Sequence, residues 1–427
     1  MIFPKRIHCV GIGGIGVSAL AQLLQHEGHV VSGSDRSPSH VTVLLEKKGI
    51  EVIIGHDKPL PEDVEFVIYS DAVPADNPER TEARKRDIPQ MKYFEALGKV
   101  SEGKRTIAVC GTNGKTTTTA MITKMLVDLG ASPTAVIGSL TKDFESNFVA
   151  GDSDLFVVEA CEYRRHFHHI APSVLVITNI ELDHTDYYKD LDDTIDAFKM
   201  MATKVPLTGT IVANTMQESV RRSLLGILVN TVDYWAEYSP DLRLIGEFNK
   251  MNAKAAKAAV KAVLPRVSDA ELDESLRSFQ GTWRRFEFLG ETPEGALVFD
   301  DYAHHPTAIR ETLKATRARF PDKKIVVAFH PHLYSRTKSL FAEFTKAFVD
   351  ADVAIIAPIY AAREVEDPTI SNSILARETK TKEGTAIAIN SFEAIGEELK
   401  RSAGAGDVVI TMGAGDIYKV AEAIVQG

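Results

Sequence analysis

A glycine-rich segment in the first third of the chain has the residue types that bind the phosphates of a nucleotide. Its residues are Gly111, Thr112, Asn113, Gly114, Lys115, Thr116 and Thr117. Backbone N–H groups of such a loop can surround phosphates, Lys115 can reach the outer phosphates, and Thr116 can hold Mg²⁺. The general P-loop pattern has a further glycine where this chain has Val109. Because an apolar run precedes the segment and a helix-like stretch follows it, the segment predicts an ATP-binding loop.

A second glycine-rich loop lies near the start of the chain, after an apolar run and before a helix-like stretch. Its residues are Gly11, Ile12, Gly13, Gly14, Ile15 and Gly16. Glycines let the backbone approach a diphosphate, and a helix N-terminus favours its negative charge. Ser34 and Asp35 follow the next apolar run, and an acidic residue there could bind a ribose hydroxyl. The pattern suits NAD, FAD or another nucleotide diphosphate without distinguishing them, and a loop with only a structural role is the alternative.

Carboxylates follow two further apolar runs of the predicted sheet. Residues 155–158 lead to Glu159, and residues 174–178 lead to a segment that includes Asp183 and His184. Magnesium prefers oxygen ligands, so Glu159 is the best candidate for a Mg²⁺ ligand near the ATP loop. On chemistry alone, His184 is interpreted as a structural histidine.

Histidines follow two consecutive predicted strands in the C-terminal third. Residues 296–299 lead to Asp301, His304 and His305, and residues 325–329 lead to His332 and Arg336. A zinc site would need an HExxH motif or a matching set of cysteines, and the sequence has neither. We expect the two strand ends to be adjacent and to form a polar substrate pocket. Arginines in this region, Arg284, Arg285 and Arg336, can supply the bidentate charge that a carboxylate or phosphate needs.

The elements that must position these residues alternate along the chain. Valine- and isoleucine-rich runs lie at 7–10, 107–110, 155–158, 174–177, 296–299, 325–329, 353–357 and 408–410. Helix-like stretches lie at 16–27, 115–129, 252–263 and 306–319. Continuous rather than alternating apolarity is typical of strands buried on both faces. The sequence therefore predicts an α/β fold with doubly wound parallel sheets, whose chemistry lies past the carboxyl ends of the strands.

Length and composition limit the classes of protein to consider. A chain of 427 residues predicts about two to four domains, with boundaries near 98–104 and 281. The net charge of −10 argues against a nucleic-acid partner. No apolar run is long enough to span a membrane, and no signal segment follows Lys5 and Arg6. With only three cysteines as well, we expect a cytoplasmic protein.

Taken in order over nearly the whole chain, these segments resemble the Mur ligase family. The matching segments are 10–16 with 32–35 for UDP, 111–119 for ATP, 178–184 for metal and 249–252 for adenine. Residues 284–286, 300–307, 330–337 and 360–364 resemble the alanine-adding members in particular. Asn113 stands where those members usually have histidine.

The resemblance implies three domains. They are a Rossmann-like UDP-sugar-binding domain (1–99), a P-loop ATPase-like central domain (100–280) and a Rossmann-like amino-acid-binding domain (281–427). It implies that ATP phosphorylates the carboxylate of UDP-N-acetylmuramate and that the amine of L-alanine displaces phosphate, in peptidoglycan precursor synthesis. A monomer or a weak homodimer is expected.

The resemblance also assigns roles to individual residues. Catalytic roles fall on Lys115, Glu159, His184, Arg285, His304 and His305. The metal ligands are Thr116, Glu159 and His184, for two Mg²⁺ ions. ATP is expected to contact residues 111–117, Asn249, Asn252, Arg285 and Asp301. The UDP-sugar is expected to contact residues 11–16, Ser34, Asp35 and Ser70. The amino acid is expected to contact His305, His332, Arg336, Tyr360 and Glu364.

Four alternatives stay open. A related ligase could add a peptide or another amino acid during wall recycling, and the loop at 11–16 alone would suit an NAD-dependent oxidoreductase. A regulatory ATP-binding module without chemistry is the third. The fourth concerns Lys199, which stands where sister ligases carry a carbamylated, metal-binding lysine. Carbamylation needs a neutral amine, which burial beside a metal can supply, whereas the other interpretation is an ordinary solvated helix lysine.

Overall fold

The computed structural model describes residues 3–55, 59–362 and 364–426. Within those ranges, no helix is both long enough and apolar enough to cross a membrane. The described residues form α-helices and predominantly parallel β-sheets.

The chain divides into two compact units. The first comprises the residues up to Glu181 together with Asp192–Asp241 and Met251–Gln280. The second comprises Leu182–Leu191, Leu242–Lys250 and the residues from Gly281 onward. Two of the large sheets belong to the first unit, and the third belongs to the second unit.

Five parallel strands form the first sheet. They are β1 (Arg6–Val10), β2 (Val30–Asp35), β3 (Glu51–Ile54), β4 (Phe66–Tyr69) and β5 (Gln90–Lys92). The helices are α1 (Ile15–His26), α2 (His40–Lys47), α3 (Pro78–Lys85) and α4 (Tyr93–Ser101). The strand order is β3-β2-β1-β4-β5, so the chain order reverses between β1 and β4. Ligands of open α/β sheets bind at such a reversal, and the loop at 11–16 and Ser70 lie there.

Seven strands form the central sheet. They are β6 (Arg105–Cys110), β7 (Thr134–Thr141), β8 (Ser146–Val149), β9 (Leu155–Glu159), β10 (Val174–Ile177), β11 (Thr210–Ala213) and β12 (Asn230–Asp233). The helices are α5 (Lys115–Asp128), α6 (Leu191–Ala202), α7 (Glu218–Ser223), α8 (Glu247–Val263) and α9 (Asp269–Ser278). The order is β12-β11-β10-β6-β9-β7-β8, and only the β7–β8 pair is antiparallel. Because β9 and β10 flank β6, the residues after all three strands meet at one edge.

Buried amides connect the first sheet to the central sheet. Gln22 of α1 donates from Nε2 to Oδ1 of Asn147 in β8 (2.9 Å) and accepts from Oγ of Ser146 (3.0 Å). Nδ2 of Asn147 donates to the carbonyl of Ile15 at 2.6 Å. Because buried polar groups must be paired, this network specifies how α1 packs on the β7–β8 hairpin.

The third sheet contains six strands. They are β13 (Glu287–Glu291), β14 (Leu297–Asp301), β15 (Ile325–Phe329), β16 (Val353–Ile356), β19 (Ile387–Ala388) and β20 (Val408–Met412), while β17 (Lys380–Thr381) and β18 (Gly384–Thr385) form a separate hairpin. The helices are α10 (Pro306–Arg319), α11 (Tyr334–Ser339), α12 (Phe341–Phe344), α13 (Asn372–Glu378), α14 (Phe392–Ser402) and α15 (Tyr418–Gln426). The order is β13-β14-β20-β15-β16-β19. The expectation that β14 and β15 are adjacent was wrong, because the C-terminal strand β20 lies between them.

Both faces of this sheet are buried, as the continuous apolar runs predicted. Val327 and Phe329 of β15 pack into one hydrophobic cluster, and Val326 and Ala328 pack into another. Successive side chains of a strand point to opposite faces, so helices must cover both.

Candidate active site

Gly114 ends the phosphate loop and begins α5 in the left-handed conformation, with φ of +83°. A Cβ at this position would collide with Oδ1 of Asn252, which lies on α8 in the same compact unit. Gly111 is also left-handed, with φ of +134°, and a Cβ there would collide with Oγ1 of Thr178. Glycine is therefore required at both positions by conformation and by space.

Lys115 is the first residue of α5, and three contacts hold its ammonium group. Nζ lies 2.9 Å from Oε1 of Glu162 and donates to the carbonyls of Gly111 (2.5 Å) and Thr112 (3.1 Å). Burial alone would lower the pKa of Lys115, but the negative charge of Glu162 outweighs it and raises the pKa above its ordinary value. The lysine therefore stays charged, as a phosphate-binding group must. No role was assigned to Glu162 from the sequence, where its one signal was its position just after Glu159.

The residues after β10 support the phosphate loop. Asn179 accepts from the backbone N–H of Asn113 and donates from Nδ2 to its carbonyl, both at 2.9 Å. Oγ1 of Thr178 donates to the same carbonyl at 2.6 Å. The sequence placed Thr178 and Asn179 at the start of a metal-binding segment, whereas here they hold the loop through the adjacent strand.

Two oxygen donors at this edge suit a magnesium ion. Thr116 is buried in the first turn of α5, and Glu159 is the last residue of β9. Glu159 uses Oε2 to accept from the N–H of Gly138 at 3.0 Å, which fixes the carboxylate. Among the described residues, no group of three His, Cys, Asp or Glu side chains could hold a metal alone. Phosphate oxygens and water would have to complete the coordination shell, as is usual for Mg²⁺.

The first glycine loop is held by the acidic residue that was expected to bind ribose. Oδ2 of Asp35 accepts from the N–H of Gly13 at 2.8 Å. Ser34 is buried and donates from Oγ to Glu79 of α3 at 2.6 Å, so its hydroxyl serves the protein interior. A Cβ on Gly11 would lie 3.0 Å from Cβ of Ser70, which shows how closely the loops after β1 and β4 approach.

Asp301 lies inside β14 rather than after it, because the strand extends beyond the predicted end. Its oxygens accept from the backbone N–H groups of Phe286 (2.6 Å) and Ala303 (2.7 Å). Burial raises the pKa of this carboxyl to about 6. Arg285 lies with its guanidinium carbon 5.0 Å from the ring centroid of Tyr302, a cation–π contact.

His304 and His305 follow β14 and have different surroundings. Nδ1 of His304 donates to the carbonyl of Tyr302 at 3.0 Å, and burial together with the charge of Arg336 holds the pKa of His304 well below its usual range. The ring is therefore neutral, with Nε2 free of the proton. His305 precedes α10 and accepts at Nδ1 from the N–H of Thr307, so Nε2 donates to the carbonyl of Leu182 at 3.2 Å. His305 is thus also a helix cap.

His332 and Arg336 lie beyond β15 and contact each other. Nη1 of Arg336 donates to Nδ1 of His332 at 2.9 Å, and Nε donates to Oδ1 of Asp183 at 2.8 Å. The rings of His304 and His332 are 6.2 Å apart. The two histidine segments therefore meet although β20 separates their strands. The sequence placed Asp183 in the metal-binding segment at 178–184 and did not predict its pairing with Arg336.

Tyr360 and Glu364 were expected to contact the amino acid. The ring of Tyr360 is 5.6 Å from that of His332 and is partly exposed. Both carboxylate oxygens of Glu364 contact Ser335, through its N–H (3.1 Å) and its Oγ (2.5 Å). Arg363, within the same segment, lies outside the described residues.

Asn249 and Asn252 share α8, which begins at Glu247 rather than at the predicted residue 252. Asn249 is buried in the second unit and donates from Nδ2 to the carbonyl of Ile245 at 2.8 Å. Asn252 contacts the phosphate loop in the first unit, as described for Gly114.

Curated relatives cover the chain almost completely. The chain is 40% identical over 451 residues to the UDP-N-acetylmuramate–L-alanine ligase of Desulfitobacterium hafniense, covering 99% of this chain and 100% of that one. It is 37% identical over 448 residues to the enzyme of that name from Clostridium acetobutylicum, covering 98% and 97%. The chain belongs to the Mur ligase family.

Three models of Mur ligase domains match in succession. The model of the Mur ligase family, catalytic domain, matches residues 6–105, and that of the Mur ligase middle domain matches 109–236. The model of the Mur ligase, glutamate ligase domain, matches 284–415. The predicted α/β class with three domains is confirmed. The first glycine loop lies within a Mur ligase domain, so the oxidoreductase alternative is not favoured.

A solved Mur ligase has the same fold over its full length. The UDP-N-acetylmuramate–alanine ligase of Thermotoga maritima superposes with a TM-score of 0.80 at 29% identity. The match covers 99% of this chain and 98% of that one.

Lys199 does not have the surroundings that the Mur ligase resemblance suggested. It lies on α6, and its side chain is exposed. Carbamylation requires a neutral amine, and the burial that would favour neutrality is absent. The structure therefore supports the solvated helix lysine.

Proposed function

We propose that this chain joins L-alanine to the carboxylate of UDP-N-acetylmuramate, converting ATP to ADP and phosphate, in peptidoglycan precursor synthesis. The observation that carries the proposal is the near-complete coverage of relatives of that name at 37% and 40% identity. The charged, partly buried Lys115 at the start of α5 supports the ATP-dependent part.

The chemistry requires activation of the carboxylate, which is a poor electrophile. Transfer of the γ-phosphoryl group of ATP to a carboxylate oxygen releases ADP and forms an acyl phosphate. The amine of L-alanine then attacks the acyl carbon, loses a proton, and the tetrahedral intermediate expels inorganic phosphate. Lys115 neutralises the charge that develops on the transferring phosphoryl group. The backbone N–H groups of residues 111–117 bind the remaining phosphates.

Magnesium bound with ATP would supply further charge neutralisation. We assign Thr116 and Glu159 to one ion and His184 to a second. The buried hydroxyl of Thr116 and the fixed carboxylate of Glu159 support the first assignment.

We assign the three substrates to three domains, with the boundaries expected from the sequence. UDP-N-acetylmuramate binds domain 1–99, at residues 11–16, Ser34, Asp35 and Ser70. ATP binds domain 100–280 and also contacts Asn249, Asn252, Arg285 and Asp301. The amino acid binds domain 281–427. The close approach of Gly11 to Ser70 at the strand-order reversal supports the first assignment.

The second compact unit supplies the groups for the amino acid. Arg336 carries a guanidinium that can bind the carboxylate of L-alanine, while His305, His332, Tyr360 and Glu364 surround it in the proposed pocket. Arg285 and His304 complete the catalytic set. The neutral ring of His304, with an unprotonated Nε2, can accept a hydrogen bond from the amine.

We further propose a cytoplasmic location and a monomer or weak homodimer. The location is supported by the three free cysteines, as expected in a reducing compartment.

The test is phosphate release from ATP with UDP-N-acetylmuramate and each amino acid added in turn. Release that depends on L-alanine is the expected result, and Lys115→Ala should abolish it. Release that prefers another amino acid or a peptide would retain the reaction type and change the specificity. Absence of release with any acceptor would overturn the proposed substrate.

A further inference from the structure

Asp183 connects Arg336 to the residue proposed as a metal ligand. Oδ1 of Asp183 accepts from Nε of Arg336 at 2.8 Å and from the backbone N–H of His184 at 2.7 Å. Asp183 is 5% exposed and Arg336 is 2% exposed. All three residues belong to the second compact unit.

The contact is an ion pair rather than a neutral hydrogen bond. Nε of Arg336 and Oδ1 of Asp183 form a salt bridge of 2.8 Å, and both side chains are almost completely buried. A buried guanidinium without a carboxylate partner is strongly unfavourable. Asp183 therefore fixes the orientation of Arg336 at its Nε side.

The remaining contacts of the guanidinium leave an edge for a ligand. Nη1 donates to Nδ1 of His332 at 2.9 Å, and Nη2 takes part in none of these contacts. A carboxylate can approach the edge formed by Nη1 and Nη2, which suits bidentate binding. The proposed amino-acid carboxylate and Asp183 would thus share one arginine.

The segment that contains His184 needs such contacts to keep its shape. His184 has φ of +52°, a left-handed conformation that is unfavourable for a non-glycine residue. Two contacts hold the two preceding residues, from Arg336 to Asp183 and from Nε2 of His305 to the carbonyl of Leu182. His305 and Arg336, which make these two contacts, lie after strands β14 and β15 of the third sheet.

We propose that Asp183 is a positioning residue that couples amino-acid binding at Arg336 to the placement of His184. This inference rests on the proposed function. A carboxylate at the Nη1–Nη2 edge restricts Arg336 further, Asp183 transmits that restriction to the backbone of His184, and the imidazole becomes a better ligand for a divalent cation. By thermodynamic linkage, L-alanine and the cation then strengthen each other's binding by the same factor.

The experiment measures Mn²⁺ binding by electron paramagnetic resonance. The enzyme holds a non-hydrolysable ATP analogue and UDP-N-acetylmuramate, with and without L-alanine. In the wild-type protein, L-alanine should tighten Mn²⁺ binding about fivefold or more. In Asp183→Asn, which keeps the shape but removes the charge, the ratio should fall to about one. A reciprocal titration of L-alanine at low and high Mn²⁺ should give the same factor.

Asp352→Asn is the matched control. Asp352 also pairs with an arginine in the second unit, Arg317 at 2.6 Å, and accepts from a backbone N–H. This variant should lose stability and keep the wild-type ratio. If Asp183→Asn does not fold, Asp183→Glu replaces it, since glutamate keeps the charge and displaces the carboxylate from Arg336 and His184, and the same loss is expected.

The inference would be overturned if folded Asp183→Asn kept the wild-type ratio of Mn²⁺ affinities with and without L-alanine. It would also be overturned if L-alanine did not change the Mn²⁺ affinity of the wild-type protein. Alanine-dependent phosphate release, measured on the same wild-type sample, separates these outcomes from failure of the proposed function. If that release is absent, the proposed function itself is wrong.

Discussion

The ammonium group of Lys115 and the buried carboxylate of Glu162 form a largely buried ion pair with an N–O distance of 2.9 Å. Lys115 begins the helix after the phosphate loop, and Glu162 follows the strand β9. The pair keeps the phosphate-binding charge in place before any nucleotide arrives.

Glu162→Gln tests this pair. The amide retains a hydrogen-bond acceptor and removes the charge, so Lys115 loses its compensating carboxylate. We expect ATP-dependent phosphate release to fall by about tenfold or more, because removing one partner of a buried pair is costly. Steady-state kinetics and urea unfolding measure the two effects. Asp416→Asn breaks an exposed pair with Lys419 and should change stability by less than about 0.5 kcal/mol.

Gly114→Ala should lose nucleotide binding. The added Cβ meets Asn252, and φ of +83° is unfavourable for alanine. Gly130→Ala provides the control, because Gly130 has φ of +70° and nothing within 4 Å of an added Cβ. Both variants should lose about 1–2 kcal/mol of stability, and only Gly114→Ala should weaken binding of an ATP analogue, measured by calorimetry. If the two variants bound the ATP analogue with equal affinity, the contact between the added Cβ and Asn252 would have no effect on nucleotide binding, and the prediction would be wrong.

Asp301 should make stability fall as pH rises. Burial raises its pKa to about 6, so between about pH 4 and pH 6 the folded protein keeps a proton that the unfolded chain has released. The stability that this retained proton contributes is fully present at about pH 4 and is lost by about pH 6. The free energy of unfolding therefore falls by about 3 kcal/mol over this range. Urea unfolding of the wild type and of Asp301→Asn at several pH values should show this difference.

Asp352 should show the opposite sign. Burial would raise its pKa, but the N–H of Ile325 and the charge of Arg317 together lower it. The advantage of the wild type over Asp352→Asn should therefore be present above the usual pKa of aspartate and disappear as pH falls through the lowered pKa. If the stability differences for Asp301→Asn and Asp352→Asn changed in the same direction with pH, the environments assigned to the two carboxyl groups would be wrong.

Lys199 should be an unmodified lysine. Its exposure on α6 predicts an intact mass without the added carbon dioxide, also in bicarbonate buffer. Lys199→Ala should keep at least about half of the wild-type activity, since exposed side chains rarely contribute more. Loss of activity that bicarbonate or acetate restores in the variant would refute this expectation.

Features that depend on neighbouring residues could be predicted from the sequence. The strands at 174–177 and 325–329 and the helix at 306–319 have the predicted bounds. Both glycine loops lie between a strand and a helix as expected. Apolar runs and glycine spacing are local properties, so they determine elements and loops without knowledge of the fold.

The partners of the site residues could not be predicted in the same way. Glu162 and Lys115 are 47 positions apart, and Asp183 and Arg336 are 153 positions apart. Which residues meet depends on the order of strands in the sheets, and that order placed β20 between β14 and β15.

The sequence by itself determined the α/β class, the two nucleotide loops and the residue types of the site. Only the tertiary structure decided that Asp35 holds the first loop and that Lys115 is paired with Glu162. The tertiary structure also decided that the side chain of Lys199 is exposed to solvent. Burial and pairing are properties of the packed chain, because distant segments supply the atoms that remove water and compensate charge.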